Sequence, residues 1–315
     1  MPKQIIILCP FYNDSESLNI LLGTLHQSLG HLTDHEISIL VVNDGSTEPI
    51  QIHKQPSFTI KVLHLHRNIG HQKALAVGLS YIRDNMQYEK VLVMDTDGED
   101  RPEDALELLY ASDRKPGHVI FASRSSRQES SQFKLFYQLY KLSFRILTGR
   151  KIAYGNFMIM PRSSLEKIVY YSEIWNHLAG GVLKSGIPFG SVQTHRGKRY
   201  TGHSKMNFTR LLMHGLGAIA VFTEVIASRL LVFSFLLIGF SLFVILLLLG
   251  IKTFSDLALP GWTSIVISSM LVVLLQSFLL SLFTLFLYFS SESQRKFIPA
   301  QHYRDFTGQL ETVTE

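Results

Sequence analysis

Cysteine is almost absent from this chain, which carries only Cys9 in 315 residues. One cysteine excludes a disulfide framework and any zinc site built from cysteines. Thirteen histidines are present, yet none stands in a His-Glu-x-x-His arrangement, so the zinc-protease pattern is excluded as well. Charge is missing from two long stretches, Leu230 to Ile251 and Leu257 to Ser291. Each reaches the roughly 20 residues that carry a helix across a bilayer. Two transmembrane helices are therefore expected over residues 229–291, joined by the turn KTFSDLALPG, because core helices of soluble domains are usually shorter. An export signal is also lacking, since IIILCP is too short for the apolar core of a leader and runs straight into the polar NDSES. The expectation is a first buried strand there, and a domain ahead of Leu230 that stays in the cytoplasm.

A formal net charge of +5 invites a nucleic-acid partner. The distribution argues against one, because the bases gather beside the uncharged stretches and not along one soluble face. Lys198, Arg199, Lys205, Arg210 and Arg229 precede the first stretch, and Arg295, Lys296 and Arg304 follow the second. That placement puts both ends on the cytoplasmic side and makes anionic lipid the expected partner, with no nucleic acid.

Apolar runs at Gln4–Cys9, Ile37–Val42, Ile60–Leu65, Val91–Met94 and Val119–Ala122 read as strands. Between them, Ser15–Ser28 behind the capping residue Asp14, and His71–Met86, show helical periodicity. Strands alternating with helices imply the α/β class, with a mostly parallel sheet covered on both faces. Nothing repeats internally, and no segment is low in complexity. Two later segments differ. Ser130–Leu147 gathers Phe133, Phe136, Tyr137, Tyr140, Phe144 and Leu147 on one helical face and Lys134, Lys141 and Arg145 on another, as suits a helix lying among lipid headgroups. Asn207–Val225 repeats the idea with Phe208, Leu211, Leu212, Leu216, Ile219 and Phe222. A helix packed on a soluble core satisfies the same pattern; nearness to the expected spans favours the interface.

The stretch VLVMDTDGEDRPED, residues 91–104, drives a buried strand into six carboxylates, with Pro102, Glu103 and Asp104 as the first turn of the next helix. Ligands bind at the carboxyl ends of strands in an open α/β sheet, and clustered carboxylates repel one another unless something positive lies among them. Asp95 and Asp97 offer hard oxygen donors suited to Mg2+ or Mn2+, and Glu99 offers a third. Asp-x-Asp alone is short enough to be a solvated loop and helix cap. Three more clusters fall at the same edge: CPFYNDSES after the first strand, VVNDGSTE at the end of the second, and HRNIGHQKALAVGL after the third. Asp44 can accept hydrogen bonds from a ribose or base, and Gly45 permits close backbone approach. NDGS is by itself an ordinary turn; in this order, the clusters converge on one crevice.

With these clusters the chain resembles the inverting family-two glycosyltransferases of GT-A fold. It is most similar to the polyprenyl-phosphate branch: dolichyl-phosphate mannose synthase, bactoprenol glucosyltransferase and the undecaprenyl-phosphate aminoarabinose transferases. The resemblance runs to about Phe289 and includes the paired spans. It implies that Pro10 and Tyr12 of PFYND, with Asp44, Gly45, Asp95 and Ser204, hold the nucleotide sugar. It makes Asp95 and Asp97 the metal ligands, with Glu99 where relatives often have Gln. SRSSRQESSQFK matches an Arg-x-x-Arg segment that approaches phosphates, giving Arg124 and Arg127. RYTGHSK matches Arg-x-x-Gly-Glu-Ser-Lys, giving Arg199, Ser204 and Lys205. Three positions depart from the pattern: Asn43 stands where Asp is usual, His203 replaces Glu, and Asn156 in YGNF replaces the Asp of Gly-Asp-Phe. The first two bear on donor preference or local charge, and the third on turnover or on how the donor sits.

The resemblance implies inverting transfer of a sugar from a UDP- or GDP-linked donor to a polyprenyl phosphate, undecaprenyl by the bacterial style of the spans. The setting is the cytoplasmic face of a bacterial inner membrane, and bacterial relatives assemble as tetramers. A lipid phosphate is already anionic, so no side chain has to remove a proton. What remains is charge management by the cation on Asp95 and Asp97 and by Arg124, Arg127, Arg199 and Lys205. The expected layout is a GT-A domain over 1–203 with an interfacial helix near 130–147, a juxtamembrane amphipathic helix over 204–228, spans over 229–291 and a cytoplasmic tail over 292–315. A processive synthase would need more spans and a Gln-x-x-Arg-Trp motif, which EIWNH at 173–177 does not supply. A non-catalytic nucleotide-sugar sensor of the same fold is left open by Asn156.

Overall fold

In β1 (Lys3–Phe11), Ile5, Ile7 and Cys9 face one way and Ile6 and Leu8 the other, and all five are at most 2% exposed. A strand buried on both faces belongs in the middle of a sheet covered by helices. In the computed structural model, which describes residues 3–53, 55–124, 131–149, 154–201, 215–254, 261–293 and 296–313, β1 is central to an eight-stranded sheet. The chain forms two compact units, one of Met1–Leu139, Lys151–Val221 and Lys296–Glu315, the other of Tyr140–Arg150 and Phe222–Arg295.

The first unit runs β1, α1 (Ser15–Leu29), β2 (His35–Asn43), β3 (Thr59–Leu65), α2 (His71–Asn85), β4 (Lys90–Val93), α3 (Pro102–Arg114) and β5 (Val119–Arg124). After the helix α4 (Ser131–Thr148) come β6 (Met158–Pro161), α5 (Arg162–Ile168), a 3-10 turn at Ser172–Trp175, α6 (Leu178–Lys184) and β7 (Phe189–Thr194). All five expected strands and both expected helices are present. The spatial order is β7-β5-β6-β4-β1-β2-β3-β8, and β6 and β8 run against the rest. The helices α1 and α3 cover one face, and α2, α5 and α6 the other. Strand order reverses beside β1, which pairs with β2 on one side and β4 on the other. Loops diverge at such a switch point, and the crevice they leave lies outside the carboxyl ends of β1 and β4. Antiparallel β6 sets Met158 opposite Val93, so its entry at Asn156 reaches that same edge.

The segment 292–315, expected as a tail, differs most. After the second long helix the chain forms α9 (Pro299–His302), a 3-10 turn at Tyr303–Asp305 and β8 (Thr307–Val313), which pairs antiparallel with β3. Phe297 packs on Trp175 at 4.0 Å between ring centroids, and Phe306 packs on Trp175 at 5.1 Å. An unpaired β3 would expose a row of backbone donors and acceptors, and β8 satisfies them.

The second unit holds two 32-residue helices, α7 (Thr223–Phe254) and α8 (Trp262–Ser293). Both are long and apolar enough to cross a membrane. Their outer faces are apolar, with Phe235 63% and Leu246 68% exposed, unlike a soluble core helix. Residues 215–220 are helical, Val221 and Phe222 turn, and α7 then starts at Thr223, ahead of the expected boundary at 229. Glu224 and Arg229 are good helix formers, so the helix outruns its uncharged core, and Glu224 suits a helix N-terminus. At the far end Lys252 to Phe254, expected in the turn, are still helical. The last turns of α4 belong to this unit: Phe144 packs edge-on against Phe222 at 5.9 Å, while Lys141 and Arg145 are exposed.

Candidate functional site

The acid loop after β4 is folded by its own carboxylates. Asp100, only 1% exposed, accepts the backbone N–H of Asp95 at 2.9 Å, and Asp97 Oδ1 accepts that of Glu99 at 2.9 Å. Gly98 between them has φ of +86°, and a Cβ there would meet the Tyr200 ring and the Lys198 carbonyl. The close approach exists because 196–201 lies on the loop: Gly197 N–H donates to Glu99 O at 2.9 Å and Tyr200 N–H to Asp97 O at 3.1 Å. Two guanidinium groups arrive with that segment. Arg199 reaches Asp97 Oδ2 at 2.7 Å and Glu99 Oε1 at 3.2 Å, and Arg196 reaches the same Glu99 oxygen at 2.6 Å. The repulsion among these acids is thus answered by protein cations. Asp97 and Arg199 keep 23% and 29% exposure, so solvent and ligands reach this pair.

The first two loops are stitched together by Asn13, which takes the left-handed conformation. Its Oδ1 accepts the N–H of Thr47 at 2.9 Å, its Nδ2 donates to Thr47 Oγ1 at 2.9 Å, and its own N–H donates to Ser46 Oγ at 3.1 Å. Pro10 is buried and its carbonyl accepts from Thr96 Oγ1 at 3.4 Å, whereas the Tyr12 ring is 41% exposed beside them. Asp44 is 4% exposed and takes the N–H of Ile69 on one oxygen at 2.8 Å and that of Gly70 on the other at 3.0 Å. Burial raises its pKa above the ordinary carboxylate value, against these two bonds and the nearby His71 and Lys73. Gly45 permits close approach to protein backbone, since a Cβ would lie 2.4 Å from the Arg67 carbonyl carbon and the Asn68 nitrogen. Asn43 is buried; its Oδ1 accepts the Ser46 N–H at 3.1 Å, which turns its Nδ2 toward His64 Nδ1 at 3.1 Å. Nδ1 then accepts, and His64 Nε2–H donates to Glu311 of β8 at 3.3 Å.

The loop after β3 adds His71, the first residue of α2, a residue the sequence reading passed over. Its Nε2 lies 3.3 Å from Asp95 Oδ1 and 3.1 Å from Asn156 Nδ2. Although the side chain is 42% exposed, the crowded edge removes enough solvent to hold its pKa below the ordinary histidine value, against the pull of Asp100, Asp97 and Asp44. Arg196 and Asp100 were also missed; the run HRGKR and the acid knot itself were their only local signals.

Asp44, Asp95, Asp97, Glu99 and Arg199 all lie at the carboxyl edge. Arg124 ends β5 beside Thr194 of β7, its side chain outside the described set. Arg127, His203, Ser204 and Lys205 also lie outside the described residues. Arg199, expected on a phosphate, is held by Asp97 and Glu99.

Residues 6–169 match the family model described as glycosyl transferase family 2. The chain belongs to that family. This glycosyltransferase is 26% identical to the uncharacterized glycosyltransferase YkcC of Bacillus subtilis (strain 168), over 85% of this chain and 83% of the relative. It is 25% identical to the undecaprenyl-phosphate 4-deoxy-4-formamido-L-arabinose transferase of Enterobacter sp. (strain 638), over 79% and 77% of the two chains. The expected polyprenyl-phosphate glycosyltransferase resemblance is therefore met at modest identity. Among solved structures, glucosyl-3-phosphoglycerate synthase from Mycobacterium tuberculosis in complex with Mn2+, UDP-glucose and phosphoglyceric acid is similar with a TM-score of 0.49 and 12% identity, covering 71% of this chain and 80% of that one.

The donor set allows a divalent cation with few protein ligands. Among the described residues no group of three or more His, Cys, Asp or Glu gathers as a metal site, and Glu99 is taken up by Arg196 and Arg199. Asp97 shares Arg199 with it and Asp95 lies 3.3 Å from His71 Nε2, so the two part-exposed aspartates would meet a cation from positions already in contact with a base. One or two carboxylates completed by water and substrate phosphate oxygens are what Mg2+ ordinarily accepts.

Proposed function

We propose that this glycosyltransferase moves one sugar, with inversion, from a nucleotide-diphosphate sugar to a polyprenyl phosphate, undecaprenyl phosphate by its relatives, at the cytoplasmic face of a bacterial inner membrane. The observation that carries the proposal is the joining, in one family-2 chain, of the half-exposed Asp95 and Asp97 at the sheet's carboxyl edge with two helices long enough to span a bilayer. Relatives named as undecaprenyl-phosphate transferases supply the acceptor class.

Asp95 and Asp97 would hold a Mg2+ or Mn2+ ion, whose chemistry there is to neutralise charge on the departing diphosphate. Tyr12 presents an exposed ring beside the first loop, where a base can lie. Asp44 shapes the neighbouring loop through Ile69 and Gly70, and its remaining lone pairs serve the nucleotide. Arg199 begins paired to Asp97 and Glu99 and is exposed enough to turn to a phosphate, together with Arg124, Arg127 and Lys205. The acceptor phosphate is an anion at neutral pH and attacks without a base, in keeping with a site in which the aspartates are tied to cations and N–H groups.

Sidedness draws support from topology. Because β8 pairs with β3, the α7–α8 hairpin leaves and re-enters one folded unit, so both ends lie on one side of any membrane it crosses. The basic residues beside α7 and α8 make that side cytoplasmic. Assembly as a tetramer belongs to the same proposal.

The test is incubation of purified protein with undecaprenyl phosphate, Mn2+ or Mg2+, and a panel of labelled UDP- and GDP-sugars. Label entering the organic phase with one donor supports the proposal and names the sugar. Metal-dependent nucleotide binding without transfer from any donor would overturn it in favour of a sensor.

A further inference from the structure

His71 and Asn156 come from opposite sides of the crevice and meet at Asp95. Gly70, at φ of +94°, turns the chain into α2 so that His71 opens the helix, while β6 enters the sheet across from the end of β4 and brings Asn156 opposite Asp95. The His71 Nε2 faces two groups, Asp95 Oδ1 at 3.3 Å and the Asn156 amide at 3.1 Å. A carboxylate oxygen attracts this nitrogen only when it bears hydrogen. With that hydrogen in place, the Asn156 amide must turn its oxygen toward the ring. Exchanging the amide's N and O gives the ring N–H this acceptor at 3.1 Å, and places the NH2 in the buried position that Oδ1 holds without a hydrogen-bond partner. Both contacts are then attractive, and an amide provides the acceptor without adding a third negative charge beside Asp95 and Asp97.

We infer that His71 and Asn156 are positioning residues: His71 Nε2–H fixes the Asp95 carboxylate for cation binding, and Asn156 fixes the His71 ring. This rests on the reading of Asp95 as a cation ligand. Groups that hydrogen-bond a ligating carboxylate typically change metal affinity by about 10- to 100-fold when removed.

The experiment is titration of the purified full-length chain in detergent with Mn2+ alone, following the free-ion signal by electron paramagnetic resonance. His71→Ala should weaken Mn2+ binding about 10-fold, and His71→Gln, which keeps an N–H at similar reach, should restore most of it. Asn156→Leu should weaken binding less than His71→Ala, and Asn156→Asp, which keeps an acceptor, should not weaken it. Wild-type affinity in His71→Ala would overturn the positioning role while leaving the cation site standing. Equal losses in His71→Ala and His71→Gln would reduce His71 to packing and overturn it too. Absence of Mn2+ binding by the wild-type chain would remove the cation reading of Asp95 and the inference with it.

Discussion

Asp44 and Asp97 stand at the carboxyl ends of two strands of one sheet, yet their charges are met in different ways. Asp44 is 4% exposed and compensated by two backbone N–H groups, which cannot leave without unmaking the turn into α2. Asp97 is 23% exposed and compensated by Arg199, a long side chain on a separate segment, itself 29% exposed. Backbone compensation builds the crevice. Side-chain compensation can be exchanged for a substrate phosphate or a metal ion, and it is there that chemistry is possible.

The largest effect separating the two should come from Asp97→Ala, which is expected to lower sugar transfer by at least about 100-fold with a melting temperature close to wild type. Asp44→Ala should be marked instead by its loss of stability. It strands two buried N–H groups, each worth about 1–3 kcal/mol, so thermal unfolding should shift down markedly, and activity should fall by more than the folded fraction because a nucleotide contact goes with it. Titration sharpens the contrast. The pKa of Asp44 is raised by burial, so its contribution to stability is fully present below the ordinary carboxylate value, about 4, and is lost as pH rises through the raised value. The stability lead of wild type over Asp44→Asn, followed by denaturation, should therefore narrow from acid toward neutral pH. The smallest effect belongs to Asp113, where hydrogen bonds from Lys90 and Lys3 prevail over desolvation and hold the pKa down. Its contribution is present above the ordinary value and lost in acid, and as a surface cluster it is worth less than about 1 kcal/mol. Asp113→Asn should show a pH trend opposite to Asp44→Asn.

Local pattern made β1 to β5, α1 and α2 legible, because strands buried on both faces read as apolar runs and helices keep their period. The remaining strands carry no such mark. Only Thr194 of β7 is buried, and the β8 sequence TGQLETV is mostly exposed, so both are strands by virtue of their neighbours. The acid loop was legible as a site because its carboxylates are adjacent in sequence. Its partners were not: Arg196 and Arg199 meet Glu99 about a hundred positions away, and Asn156 meets His71 across 85. Glu99, expected as a third metal ligand, shows the limit: counting acids reveals neither that Arg196 and Arg199 meet it nor that Arg199 also meets Asp97.

The most direct measurement is sugar transfer to undecaprenyl phosphate by the purified chain after EDTA treatment and again after Mn2+ is restored. Transfer should vanish with EDTA and return with Mn2+ in wild type, and should not return in a folded Asp97→Ala variant. Undiminished transfer in EDTA, or full recovery in Asp97→Ala, would contradict the assignment of chemistry to the acid loop.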